Sequence, residues 1–192
     1  MRAQHRHQTL QRYSAPAMVL HWLMALLIVA NLAVGLSMVR MPLSPTRLLL
    51  YNAHKWAGVL ILALAALRLL WRLAHAPPLL SPTPAWQHTA ARATHATLYL
   101  LFFAVPLLGW AYSSAAGFPV VLFGLWPLPD WVPAERELAQ ALKPWHARSA
   151  WLMGGLTLLH VAAAWKHQLV DHDGLIDRML PAPRPRPPTP QP

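Results

Sequence analysis

The apolar residues of the chain fall into four long stretches, which prolines and charged residues separate from one another. The first stretch, residues 17–39, contains no charged residue. A helix rises about 1.5 Å per residue, so a stretch of this length crosses a hydrocarbon core of about 30 Å. A secretory signal is the alternative, but its apolar core is shorter, at about 7 to 15 residues. The pattern therefore predicts a transmembrane helix.

Three further apolar stretches predict three more transmembrane helices, at residues 51–74, 94–114 and 145–170. The second stretch has Lys55 near one end and Arg68 and Arg72 near the other. Long cationic side chains near helix ends can reach the membrane surface, so these charges are compatible with a span. Pro106 lies inside the third stretch, where it predicts a kink.

Proline-rich segments connect and flank the predicted spans. Prolines end the second span at residues 76–84, because proline cannot continue a helix. Residues 115–144 combine prolines with aromatic residues and predict an interfacial loop, with a short amphipathic helix near residues 134–142. Residues 1–12 are a cytoplasmic tail in this interpretation, residues 13–180 the membrane domain, and residues 181–192 a disordered tail rich in proline and arginine.

Composition agrees with a membrane protein. The chain has 192 residues, of which 56% are hydrophobic and 11% charged, whereas soluble domains have about 25% charged residues. A net charge of +10 is also typical of nucleic-acid binding. The cations lie in the tails and beside the apolar stretches, however, which predicts membrane lipid as a partner and no nucleic acid. The chain has no cysteine, which excludes disulfides, cysteine-ligated iron–sulfur clusters and thioether-attached haem.

The cations beside the spans also predict an orientation. They are more frequent on the side that holds the amino terminus, the connection between the second and third spans, and the end of the fourth span. Positive charge is enriched in cytoplasmic loops. The sequence therefore predicts an all-α integral membrane protein, a four-helix transmembrane bundle with both termini in the cytoplasm.

Histidines inside the predicted spans are the main candidates for function, because ligating side chains are costly in a membrane. His21 lies near the inner end of the first span and His54 near the outer end of the second. His146 and His160 are 14 positions apart on the fourth span, within about 40° of one face and about 21 Å apart along the axis. The fourth helix can therefore serve two stacked cofactors.

Depth predicts how these histidines pair. In an antiparallel bundle, His54 comes level with His146 near the outer surface. His21 comes level with the inner half of the fourth span, where His160 and His167 are both candidates. We favour His160, because a site at His167 would lie closer to the membrane surface and farther from the outer cofactor.

Two neutral imidazoles that face each other across a bundle are the arrangement that ligates haem iron axially and favours electron transfer. A zinc ion normally has three or four protein ligands at one level. The alternative is that these histidines only form hydrogen bonds between helices. Arg68 and Arg72 can pair with haem propionates or serve only as membrane anchors. His95 can hydrogen-bond a ligand, line a quinone pocket or form an ordinary interhelical hydrogen bond.

The order and spacing of several motifs resemble the bacterial cytochrome b561 family, from about Arg12 to Pro181. The motifs include Leu20-His21-Trp22, His54-Lys55, Leu67-Arg68-Leu69-Leu70-Trp71-Arg72, Leu98-Tyr99-Leu100, Trp145-His146, His160-Val161-Ala162 and Lys166-His167. The resemblance implies a multi-pass protein of the bacterial inner membrane that binds two haems b. It implies His21 and His160 as iron ligands of one haem and His54 and His146 as iron ligands of the other, with electrons exchanged with membrane quinone.

The family resemblance leaves the electron donor open. One branch oxidises periplasmic superoxide and reduces ubiquinone, and related members are cytochrome b subunits of hydrogenases and formate dehydrogenases. The chain has no fifth apolar span, so we favour the first branch. Five outer cations would attract superoxide: Arg40, Arg47, Lys55, Lys143 and Arg148. The alternatives are an electron-transfer subunit for a periplasmic dehydrogenase and a membrane protein without redox activity.

Overall fold

Four long helices make up most of the part of the chain that the structure describes. The computed structural model describes residues 12–78 and 84–181. In these residues the helices are α1 (Ala15–Met38), α2 (Pro45–Ala74), α3 (Ala85–Ala115) and α4 (Arg136–Lys166). A π-helical turn, His167–Asp171, and a 3-10 helix, Ile176–Met179, follow α4. The predicted all-helical class is confirmed, while the predicted tails lie outside the described residues except for residues 12 and 181.

A small hairpin in the connection between α3 and α4 is the one non-helical element that the described residues contain. Strands β1 (Val121–Leu122) and β2 (Trp126–Pro127) pair antiparallel. Phe123 and Gly124 form its tip with positive φ angles of 53° and 72°. This conformation is strained for phenylalanine but open to glycine.

Three of the described helices, α1, α2 and α3, are long and apolar enough to cross a membrane. Helix α4 is as long, but it has charged residues in its first turns and histidines along its length, which lower its mean hydropathy. It nevertheless exposes large apolar side chains, among them Leu158, Leu159 and Trp165. The surface of α4 therefore also presents apolar groups to its surroundings.

Consecutive helices contact each other and run in opposite directions. Helix α1 packs on α2, α2 on α3 and α3 on α4, and α4 also touches α1. His54 near the start of α2 contacts Asn31 in the second half of α1, and His146 near the start of α4 contacts Val105 in the second half of α3. We call the end with His54 and His146 the outer end, and the opposite end the inner end.

The apolar core lies between the two levels of histidines. All four helices contribute to it: Met24 and Ile28 from α1, Ile61 and Ala65 from α2, Leu98, Leu101, Phe102 and Val105 from α3, and Met153 from α4. Met153 is midway along α4 between His146 and His160. The core therefore separates an outer from an inner site by a layer of close-packed apolar side chains.

Helix boundaries differ from those predicted where local backbone chemistry extends a helix. Helix α2 begins six residues before the predicted span, because the Ser44 hydroxyl accepts a hydrogen bond from the Arg47 N–H at 3.2 Å and Pro45 occupies the first turn. The short amphipathic helix predicted near residues 134–142 is helical from Arg136, but the prediction that it is distinct from the fourth span was wrong. That segment belongs to α4, which continues through Pro144.

The carboxyl-terminal segment closes on the start of α1 at the inner end. The Trp22 indole N–H donates to the Met179 carbonyl at 2.8 Å, and the Tyr13 backbone N–H donates to the Arg178 carbonyl at 3.0 Å. The Arg12 guanidinium donates to the Leu180 carbonyl at 2.7 Å. These bonds hold residues 178–180 against the start of α1, beside His21.

We expect Ala65→Leu to destabilise the protein, because Ala65 is fully buried between helices and overpacking a core costs about 1 to 3 kcal/mol. Ala63→Leu is the matched control, since Ala63 is exposed on the same helix. Thermal unfolding in detergent, followed by circular dichroism, should show a lower Tm for Ala65→Leu alone. Equal Tm values for the two variants would contradict this packing.

Candidate functional site

The outer end holds two histidines that face each other. The ring centroids of His54 and His146 are 6.1 Å apart and the ring planes are at 82°. Nδ1 of His54 lies 3.1 Å from the Asn31 carbonyl oxygen, and Nδ1 of His146 lies 3.1 Å from the Val105 carbonyl oxygen. A carbonyl oxygen only accepts, so Nδ1 carries the proton in both rings. Each Nε2 is left with a lone pair that can bind a metal.

A glycine of the neighbouring helix lies against the ring of each outer histidine. A Cβ atom at Gly35 would lie 3.0 Å from Cε1 of His54, and one at Gly109 would lie 2.9 Å from Cε1 of His146. Each glycine comes one helical turn after the residue whose carbonyl accepts from the ring. The sequence alone does not identify which side chain lies against each glycine.

The inner end brings three histidines together. The ring centroids of His21 and His160 are 6.1 Å apart with planes at 68°, and those of His95 and His160 are 5.3 Å apart with planes at 65°. Nη2 of Arg68 lies 3.0 Å from Nδ1 of His21. Arginine only donates, so Nδ1 of His21 accepts and its proton is on Nε2. His21 therefore has the opposite tautomer to the outer histidines.

Two arginines make the inner end electropositive. The guanidinium carbons of Arg68 and Arg72 each lie 5.7 Å from the ring centroid of Tyr99, a distance at which a cation interacts with an aromatic face. Both arginines thus lie close to the inner histidines. This arrangement can bind carboxylates of a ligand through charge-assisted hydrogen bonds.

His167 is engaged by carboxylates and does not face His21. Its Nδ1 lies 2.7 Å from Asp173 and 3.1 Å from Asp171, and Lys166 pairs with Asp171 at 2.6 Å. The ring that faces His21 belongs to His160. Of the two partners that depth leaves open for His21, the geometry therefore favours His160.

The spacing of the histidine rings fits a metal ion ligated from two sides. Imidazole nitrogen binds a metal at about 2 Å and the ring centroid lies about 1 Å farther, so two opposed rings on one ion have centroids about 6 Å apart. The pairs His54 with His146 and His21 with His160 both have this spacing. A haem iron held in this way has no open position and is suited to electron transfer.

The hairpin is fixed to the outer end beside His54. The Lys55 ammonium donates to the Pro119 carbonyl at 3.0 Å, and the Trp56 indole N–H donates to the Val121 carbonyl at 2.7 Å. The rings of Trp56 and Phe123 are 5.3 Å apart. The residues that follow His54 in α2 therefore anchor the connection between α3 and α4.

Three of the five outer cations expected to attract an anion have partners within the protein. Lys55 binds backbone carbonyls, Arg47 lies over Tyr51 at 5.4 Å and Arg148 lies over Trp145 at 5.9 Å. Bonds to neutral groups leave the positive charge in place but restrict where the side chain can move. The outer end therefore remains electropositive with little freedom in these three side chains.

Comparison with known proteins gives a consistent result. A family model described as prokaryotic cytochrome b561 matches residues 12–182. Cytochrome b561 homolog 2 of Escherichia coli (strain K12) is 35% identical over 185 residues, which cover 90% of this chain and 93% of that protein. Cytochrome b561 homolog 1 of the same organism is 30% identical over 174 residues, 90% and 98% of the two chains. A probable superoxide oxidase CybB of Yersinia pestis is 30% identical over 178 residues, 91% and 98% of the two chains.

Proposed function

The chain belongs to the prokaryotic cytochrome b561 family of haem b-binding membrane electron-transfer proteins, and we propose that it oxidises superoxide outside the bacterial inner membrane and reduces ubiquinone. The sequence resemblance to this family is thereby confirmed. The observation that carries the proposal is the pair of opposed imidazoles at each end of the molecule, both with centroids 6.1 Å apart. The relationship to a probable superoxide oxidase, at 30% identity, supports the choice of substrate.

Two haems b are the proposed cofactors. His54 and His146 would hold the outer haem, and His21 and His160 the inner one. Haem supplies reversible one-electron transfer at its iron. The protein holds the imidazoles in place and surrounds them with apolar side chains. The exposed apolar residues of α4 support a fourth membrane span, which would put both termini on the same side of the membrane. The cations beside the spans favour the cytoplasmic side.

Ligand binding at the inner site requires a change at His21. Its Nε2 must lose the proton to bind a metal, and the proton must move to Nδ1, where Arg68 now donates. Arg68 must therefore release His21. Its guanidinium, with that of Arg72, is then free to pair with the propionates of the haem. His95 stays beside His160, where it can hydrogen-bond a ligand or line a quinone pocket.

The proposed reaction transfers two electrons from superoxide to ubiquinone. Two superoxide anions give up one electron each at the outer end and leave as dioxygen. One ubiquinone takes up both electrons and two protons to become ubiquinol. The positive charges of the outer end attract the superoxide anion, while Asp130, Glu135 and Glu137 on the same side reduce this attraction.

A second candidate function is electron transfer from a soluble periplasmic dehydrogenase. The observation that favours it is the apolar surface of the hairpin, where Phe123, Leu125 and Trp126 are exposed. Exposed aromatic residues are enriched at the centres of protein interfaces. In this case the purified protein would bind a dehydrogenase and would not respond to superoxide.

We expect His146→Ala and His160→Ala each to lose one haem b, and each a different one, because the two histidines belong to opposite ends. His167→Ala is the control and should retain both haems, since its ring is held by carboxylates. Dithionite-reduced minus oxidised spectra with haem quantitation would measure this. Loss of the same haem in both alanine variants would contradict the assignment, and a colourless wild-type protein would indicate a membrane protein without redox activity.

We expect the purified protein in detergent to reduce a water-soluble ubiquinone analogue when a superoxide-generating system is added. The rate should exceed that of the protein-free reaction, and superoxide dismutase should abolish it. His146→Ala should reduce the rate to the protein-free level, because it removes an outer ligand. A wild-type rate equal to the protein-free rate would exclude superoxide as donor and favour the dehydrogenase partner.

A further inference from the structure

The helix pair α1 and α2 and the helix pair α3 and α4 hold their outer histidines in the same way. In the first pair the ring of His54 lies against Gly35 of α1, and in the second pair the ring of His146 lies against Gly109 of α3. Each ring donates to the carbonyl four residues before that glycine, at 3.1 Å in both cases. The same local arrangement thus occurs on two different pairs of helices.

Each outer ring is held at two points. The hydrogen bond fixes the position of Nδ1, but a ring held by one bond can still rotate about it. Contact between Cε1 and the helix surface at the glycine limits that rotation. Both supports are parts of helix backbone, which is more rigid than a side chain. The angle of 82° between the two rings is therefore set by how the helices pack.

The inner pair has no equivalent support among the described residues. Nδ1 of His21 contacts the side chain of Arg68, which has several rotatable bonds. A Cβ atom at Gly58 or Gly155 would meet no group within 4 Å beyond its chain neighbours and its own helix backbone, and one at Gly154 would lie 2.9 Å from Leu32. Among the glycines within the four helices, none lies against the ring of His21 or His160. Among the described residues, support of the histidine ring by the backbone of a neighbouring helix is therefore a feature of the outer site.

We propose that Gly35 and Gly109 are positioning residues of the outer haem, which hold its two imidazole ligands nearly perpendicular to each other. This inference rests on the proposed ligation by His54 and His146. The electronic structure of haem iron depends on its axial ligands. For low-spin ferric iron, perpendicular imidazole planes give an electron paramagnetic resonance signal with a larger highest g value than parallel planes do.

A methyl group at either glycine would push its histidine away. The added carbon would lie 3.0 Å from the ring at residue 35 and 2.9 Å at residue 109, whereas carbon atoms pack at about 3.5 to 4.0 Å. The ring must turn or retreat from its carbonyl. The helix itself gains from the change, since alanine is favoured over glycine inside a helix by about 0.5 to 1 kcal/mol. A lower occupancy or a lower highest g value of the outer haem would therefore be due to contact between the added methyl group and the histidine ring.

The experiment compares Gly35→Ala and Gly109→Ala with Gly155→Ala. Gly155 is exposed on α4 and has open space around it, so its alanine variant is the matched control. Purified proteins would be examined by haem quantitation and by electron paramagnetic resonance of the oxidised state. We expect each of the first two variants to retain the inner haem and to lower the highest g value, or the occupancy, of the outer haem. Gly155→Ala should match the wild type.

The outcomes separate this inference from the proposed function. Wild-type outer-haem signals in both glycine variants would overturn the positioning role while leaving the haems in place. A wild-type protein without two haems would overturn the proposed function itself. The two variants are independent, because each affects one histidine, so failure of one to fold leaves the other as the test. Failure of both to fold, with Gly155→Ala folded, would also overturn the inference, because it predicts a defect confined to the outer haem.

Discussion

The outer part of the candidate site depends on one constraint: a polar imidazole buried between apolar helices must have a partner for its N–H group. An unpaired buried donor costs about 1 to 3 kcal/mol, so each ring turns toward whatever acceptor the neighbouring helix offers. At the outer end the acceptors are helix carbonyls of α1 and α3. Those carbonyls lie on the neighbouring helices, so the hydrogen bonds from the ring N–H groups also fix how α1 packs on α2 and how α3 packs on α4. The same bonds leave both Nε2 atoms free to face each other.

The two ends hold their histidines differently. The outer rings are held by neutral backbone, whereas Arg68 and Arg72 place two positive charges beside the inner rings. A nearby positive charge stabilises a site that has gained an electron. In the proposed function these charges would favour reduction of the inner cofactor, and pairing with its propionates would weaken that effect. The outer histidines are thus held by helix backbone, whereas His21 is held by a charged side chain.

The connection between α3 and α4 links the outer site to the surface. Lys55 and Trp56 directly follow His54 and donate hydrogen bonds to backbone carbonyls of this connection. Movement of the hairpin would therefore be transmitted to the residues next to His54, a proposed haem ligand. The sequence indicates an interfacial aromatic loop, and its exposed phenylalanine and tryptophans agree with that. It does not indicate that this loop is attached to α2. Lys55 is held by hydrogen bonds, and Arg47 and Arg148 are held by ring contacts. These three side chains are therefore less free to reach an incoming anion than the number of outer cations in the sequence suggests.

The sequence by itself determines the helices, the spacing of the histidines and the family, because these depend on local periodicity and on the order of motifs along one chain. It also places His54 level with His146, since depth in an antiparallel arrangement follows from position in the helix. It cannot decide whether His21 faces His160 or His167, nor that His95 lies beside His160, because these depend on the rotation of one helix against another. The tertiary structure alone supplies the Asn31 and Val105 carbonyls and pairs Gly35 and Gly109 with particular rings. Backbone groups carry no signal in the sequence, and their partners are fixed only when the helices pack.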